Sequence, residues 1–180
     1  HFCVNVTNRK IPFDWRLVPF AWTLYAMFMT TQSYVVNLRA GRPISLADAT
    51  FNDFTYAGLW ALLTPLVFFL ARRFPLERVS FKRNVWIHLT ASFAVALLHK
   101  GIHNLIIATY YMLSAGKEFS WDTQVRNLIA YFDYGIPLYW ILVLLQYGFD
   151  YYSRFREKEL RAAQLESQLA QAQLQALKMQ

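Results

Sequence analysis

The chain has 180 residues, of which 56% are hydrophobic and 18% aromatic against 16% charged, with a mean hydropathy of +0.21. That balance excludes an ordinary soluble domain and makes a lipid bilayer the expected solvent. The net charge of +7 does not point to nucleic acid, because the basic residues flank apolar runs instead of gathering on one face, and a lone cysteine, Cys3, rules out an intrachain disulfide.

In chain order, residues 1–16 carry Arg9, Lys10 and Arg16 with Pro12 as a breaker, and read as a cytoplasmic juxtamembrane segment. They lack the apolar core and cleavage site of a signal peptide, and with His1 in place of Met a fragment of a longer protein is expected. Residues 17–150 are expected to form a transmembrane domain of four helices. The first span, Leu17–Leu38, has the ~20 residues needed to cross the hydrocarbon. A polar connector, Arg39–Asp53, follows, in which Ser45 and Asp48 resemble a capping box that would start a short interfacial helix. Span two, Phe54–Leu70, leads into the connector Ala71–Asn84, with five basic residues against the single acid Glu77. Span three, Val85–Leu113, is interrupted by the polar run HKGIHN at 99–104. After the loop Ser114–Arg126, span four, Leu128–Phe149, contains Asp133 and a Gly135–Pro137 pair that should kink it. Most of the tryptophans and tyrosines, Trp22, Trp60, Tyr110 and Tyr111 among them, fall near span ends and read as interfacial belts.

The basic connector 71–84 and the cluster Arg154, Arg156, Lys158 and Arg161 should both face the cytoplasm under the positive-inside rule, which puts both termini inside.

Ionisable groups within spans are costly and tend to be buried, paired and functional. At 1.5 Å per residue, Lys100 lies roughly 22 Å along span three, or roughly 8 Å below the outer surface of a core about 30 Å thick. Asp133 and Gln32 come out at about the same depth. The expected site is therefore an outward-opening pocket in which Lys100 pairs with Asp133 while His99, His103, Asn104 and Gln32 surround them, sensing a small ligand, a lipid head group or a proton. The alternative is a buried salt bridge that only fixes the packing of spans three and four. His99 and His103 share a helix face at metal-ligand spacing, but Lys100 beside them repels cations, and no metal is expected. No phosphate-binding loop and no nucleophile-and-base arrangement is present, so this stretch is expected to have no catalytic residues.

Residues 151–180 continue span four without a breaker into a run of strong helix formers, expected as a cytoplasmic coiled-coil helix. Two seams step by three and four: Ala162, Leu165, Leu169, Ala172, Ala176 and Met179, or Leu160, Ala163, Ser167, Ala170, Leu174 and Leu177. Either suits a parallel homodimer with a thin, adjustable interface.

The run LRAAQLESQLAQAQLQALKMQ resembles the linker that, in LytS-type (LytS/YehU-like) bacterial sensor histidine kinases, leads into the phospho-acceptor motif His-Pro-His-Phe-Leu-Phe-Asn. That resemblance implies an inner-membrane sensor of a two-component system. Its kinase core, expected to follow Gln180, would use ATP and Mg²⁺, autophosphorylate on His and pass the phosphate to a LytTR-type response regulator. The whole then reads as an all-α polytopic membrane protein, four helices up-down-up-down, the last continuing into the signalling helix. Two rivals stand beside it: a membrane-anchored scaffold that recruits a cytoplasmic partner through the coiled coil, and a small transport or redox protein that uses the polar cluster of span three. No internal repeat favours a transporter.

Overall fold

The computed structural model describes residues 15–42, 44–76 and 80–178. Cys3, Arg9, Lys10, Pro12, Glu77, Arg78 and Met179, which entered the sequence reading, lie outside them. Every regular element among the described residues is helical: α1 (Leu17–Arg39), α2 (Leu46–Arg73), α3 (Phe81–Ala115), α4 (Trp121–Tyr131), a 3₁₀ turn (Phe132–Tyr134) and α5 (Gly135–Lys178). The helices up to Leu144 form one compact unit, and Leu145 onward belongs to a second.

Helix ends follow local chemistry more than the limits of the apolar runs. Ser45 caps α2, its Oγ accepting from the Asp48 amide at 3.0 Å, so the helix expected to be short and interfacial runs on unbroken to Arg73. Asn52 and Asp53, expected in a connector, are therefore two turns inside a helix. Ser120 caps α4 in the same way, and α3 stops at Gly116, whose φ of +61° a Cβ would strain.

The expected kink in span four is a change of helix type one turn early. In a continuous α-helix Pro137 would offer no N–H to the carbonyl of Asp133, and its ring would press on that carbonyl. The turn Phe132–Tyr134 tightens to 3₁₀, and α5 starts afresh with Pro137 in its first turn, where the missing donor costs nothing.

α1 packs on α2, and α2 on α3, as antiparallel neighbours. Trp22 of α1 donates its indole N–H to Thr64 Oγ1 of α2 at 2.9 Å and stacks on Trp60. Trp60, read as part of an interfacial belt, is fully buried. Small residues bring backbones together: Ala26, Ala49, Ala57, Ala71 and Ala96 are all buried. The helices also approach closely at Gly135, where an added Cβ would lie 2.8 Å from the Ala96 Cβ.

α3 is largely polar on its buried face and apolar on its exposed one. The buried residues of α3 are Asn84, His88, Ser92, Val95, Ala96, His99, His103 and Asn104, whereas Trp86, Phe93, Leu97, Leu98, Ile102 and Leu105 of the same helix are exposed. Water would favour the opposite arrangement, and a hydrocarbon surround favours this one. By length and composition, α2, α3 and the stretch Trp121–Lys178 are each able to cross a membrane. α1 is long enough but is not among them, its second half carrying Thr30, Thr31, Gln32 and Ser33.

From Leu145 onward α5 is continuously helical to Lys178, and Leu160, Leu165, Leu169, Leu174 and Leu177 are all exposed. Its charged residues pair along the helix, Arg156 with Glu159 at 3.3 Å and Arg161 with Glu157 at 2.6 Å. Such exposed pairs contribute only tenths of a kcal/mol each.

Candidate functional site

The histidines of α3 are held by backbone carbonyls of the α2 chain. His99 Nε2 lies 3.0 Å from the Tyr56 carbonyl and His103 Nε2 lies 3.3 Å from that of Asn52. A carbonyl only accepts, so in both rings Nε2 carries the proton. Each pair is one turn apart on its own helix, which sets α2 and α3 in antiparallel register. Tyr56 meets both rings edge-on, and Trp60 stacks on His99 at 4.8 Å.

Next to His103 the helices part. A cleft of about 350 Å³ opens between α2, α3, the loop after α3, and α4. Lys100, His103 and Asn104 line it from α3, and Asn52 from α2. The loop contributes Lys117, Glu118 and the cap residue Ser120, while α4 contributes Thr123, Gln124, Asn127 and Tyr131. Asn104 Nδ2 ties the two walls together by donating to the Gln124 carbonyl at 3.3 Å. The apolar part of the lining is Ile107, Ala108 and the ring of Tyr111. Tyr111 was expected in an interfacial belt, as was Tyr110, whose hydroxyl donates to Asp48 Oδ1 at 2.9 Å.

Of the six residues expected in the pocket, three line the cleft: Lys100, His103 and Asn104. His99 sits one turn below, fully buried against Tyr56 and Trp60. Gln32 is exposed on α1. In its part of that helix Thr30 faces inward, and two residues further on a helix points roughly 200° away from it. Asp133 is exposed in the 3₁₀ turn, and no ion pair joins it to Lys100. The tightened turn that Pro137 imposes carries Asp133 off the face that Lys100 occupies. The Lys100 ammonium lies instead 5.4 Å above the ring of Tyr131.

The buried acid of this region is one that the sequence reading left in a connector. Asp53 is only 8% exposed, takes a 2.9 Å hydrogen bond from Asn52 Nδ2 on Oδ1, and leaves Oδ2 without a partner. His103 is 4% exposed, and its Nδ1 is likewise unpartnered. The Ser45 cap was the available clue to Asp53. A helix that begins at Leu46 places Ala49, Asp53, Ala57, Trp60 and Thr64 on one inward stripe.

At the other end of α3, His88 is fully buried and used on both sides: Nε2 lies 3.0 Å from the Phe74 carbonyl and Nδ1 lies 2.8 Å from the Tyr139 hydroxyl of α5. The carbonyl again places the proton on Nε2, so Tyr139 donates to Nδ1.

Among the described residues no group of three or more His, Cys, Asp or Glu side chains is placed to hold a metal ion. Compared with known protein families, with curated proteins and with solved structures, the chain matches none.

Proposed function

We propose that this chain is the membrane sensor and signal-transmitting part of a two-component histidine kinase of the LytS type, with α1 as a fourth span and both termini in the cytoplasm. One observation carries the reading. Tyr131, which lines the cleft beneath Lys100, is the last residue of α4, and three residues of 3₁₀ turn separate it from a helix that continues without interruption to Lys178. A ligand that moves the α4 wall of the cleft thus acts on the start of α5. There Gly135 packs on Ala96 and Tyr139 binds His88, which gives α5 two discrete contacts with α3 to keep or exchange. A sensor needs such a bistable element, biased by the ligand through differential contacts.

In this reading the helix beyond Leu145 pairs with that of a second copy through one of its two seams. Binding changes which seam is engaged, and the kinase core, with its ATP and Mg²⁺, responds by phosphorylating a His for transfer to a LytTR-type response regulator. The Ala- and Gln-rich seams favour such a switch, since a thin interface exchanges register at low cost.

The test is to express the natural gene, read through beyond the codon for Gln180, in bacterial membranes with labelled ATP. Acid-labile phosphate on the protein, changed in amount by Lys100→Ala, is expected. No labelling under any condition discards the kinase reading and leaves the scaffold as the better account. The seams are told apart in the same membranes by oxidative cross-linking of Leu165→Cys against Leu160→Cys in a Cys3→Ser background.

A further inference from the structure

We propose that the cleft binds a small oxyanion, a carboxylate or phosphate group with a hydrogen-bonding O–H or N–H beside it. This rests on reading the cleft as the sensing site and names the chemistry that it takes.

Three independent features converge. The first is charge. Lys100 and Lys117 line the cleft against the single carboxylate of Glu118. Neither ammonium is in an ion pair with a carboxylate; each rests on a tyrosine face, Lys100 on Tyr131 at 5.4 Å and Lys117 on Tyr111 at 4.5 Å. A ring face compensates a partly desolvated ammonium far less well than an anion does. The same two charges repel a metal ion or an ammonium ligand.

The second feature is the buried, unpartnered Nδ1 of His103. With Nε2–H committed to the Asn52 carbonyl, the neutral ring offers Nδ1 as an acceptor, and a donor on the ligand completes it. The third is the polar lining of the opposite wall. Ser120, Thr123, Gln124 and Asn127 line it with hydroxyl and amide side chains able to donate to an anion. At about 30 Å³ for each water-sized group, the volume suits on the order of ten non-hydrogen atoms.

The same oxyanion chemistry can come from a soluble metabolite or from the head group of an anionic lipid. The experiment separates the two sources. The protein is reconstituted in nanodiscs of zwitterionic phosphatidylcholine and titrated calorimetrically with inorganic phosphate and with glycolate. In parallel, its thermal midpoint is compared between discs with and without phosphatidylglycerol.

Saturable binding of either soluble probe, weakened about 10- to 100-fold by Lys100→Met and several-fold by Lys117→Gln but not by Gln32→Ala, supports the site with a soluble ligand. A midpoint raised by phosphatidylglycerol in the wild type and not in Lys100→Met supports it with a lipid. No response to any of the three, or responses that survive both lysine substitutions, overturns the proposal. Should Lys100→Met not fold, exposed Lys117 carries the decision. None of these readouts involves ATP. Anion binding without autophosphorylation therefore keeps the site and discards the kinase, and the reverse result does the opposite.

Discussion

His88 and His103 occupy the same buried face of α3, fifteen residues apart, yet their rings meet different surroundings. His88 has both nitrogens bonded, one to the chain end of α2 and one to α5. His103, which lines the cleft, has one nitrogen bonded and the other buried without a hydrogen-bond partner. Residue type and burial are nearly the same, so neither distinguishes a histidine that holds the fold from one that serves a ligand. The completeness of the hydrogen bonding does. A satisfied buried polar group contributes to stability, whereas an unsatisfied one is a standing cost that a bound molecule can remove.

The largest effect is therefore expected at the satisfied end. His88→Leu strips partners from the Phe74 carbonyl and the buried Tyr139 hydroxyl together, and should cost about 3 kcal/mol. Unfolding in mixed micelles, followed by tryptophan fluorescence, measures it. Tyr139→Phe should cost less, about 1–2 kcal/mol, because His88 keeps its bond to the Phe74 carbonyl. A cost for His88→Leu below about 1 kcal/mol would mean that the contact between α3 and α5 is not held by this ring.

Gly135→Ala comes next. Alanine is the better helix former by about 1 kcal/mol, but its Cβ would stand 2.8 Å from the Ala96 Cβ and 3.1 Å from the Ala96 Cα. Backbone cannot yield as a flexible side chain can, so overpacking, at about 1–3 kcal/mol, should outweigh the propensity gain. The same unfolding assay should show a net loss that Ala96→Gly restores in the double variant, and the signal carried into α5 should change with it. A stabilised single variant would show that the helices part freely at this point, which would remove Gly135 from the proposed relay.

At the unsatisfied end, His103→Leu should cost about 1 kcal/mol or less. It gives up one hydrogen bond to the Asn52 carbonyl but also removes the unpaired Nδ1. The contrast with His88→Leu is the informative quantity, and equal costs in the two variants would erase the distinction drawn between the two ends of α3.

Much of the helical layout was legible in the sequence, because apolar runs of membrane length and their polar punctuation are strong signals. α1 is matched to within a residue, and the interruption near Gly135–Pro137 is real. The misplacements share one cause. Hydropathy marks where a chain is apolar, while a helix ends where its terminal N–H and C=O groups find caps. Ser45 and Ser120 cap outside the apolar runs, so Asp53 and Gln124 were assigned to connectors although they are helical. That Lys100, His103 and Asn104 share one site was legible, and all three line the cleft. Azimuth was not, since Gln32 and Asp133, expected at the same depth, face outward. Rotation about a helix axis depends on what packs against it, and a 3₁₀ turn of three residues resets it.

Lys100 carries the smallest expected change in stability and the sharpest distinction. If its ammonium were a structural element, Lys100→Met would leave a buried partner unpaired and cost several kcal/mol, as breaking a buried ion pair does. Among the described residues no such partner is present: Asp133 is exposed, and the ammonium rests on the Tyr131 face, worth about 0.5–1 kcal/mol. Against that small loss, methionine keeps most of the apolar stem and removes the cost of a partly desolvated charge. The two contributions nearly cancel, and the unfolding midpoint should stay within about 0.5 kcal/mol of wild type or rise slightly, even as oxyanion binding falls. A residue that can be removed with little or no loss of stability, and whose removal abolishes a response, is kept for the response. A loss of about 2 kcal/mol or more in the same assay would instead return Lys100 to the packing of α3 against α4.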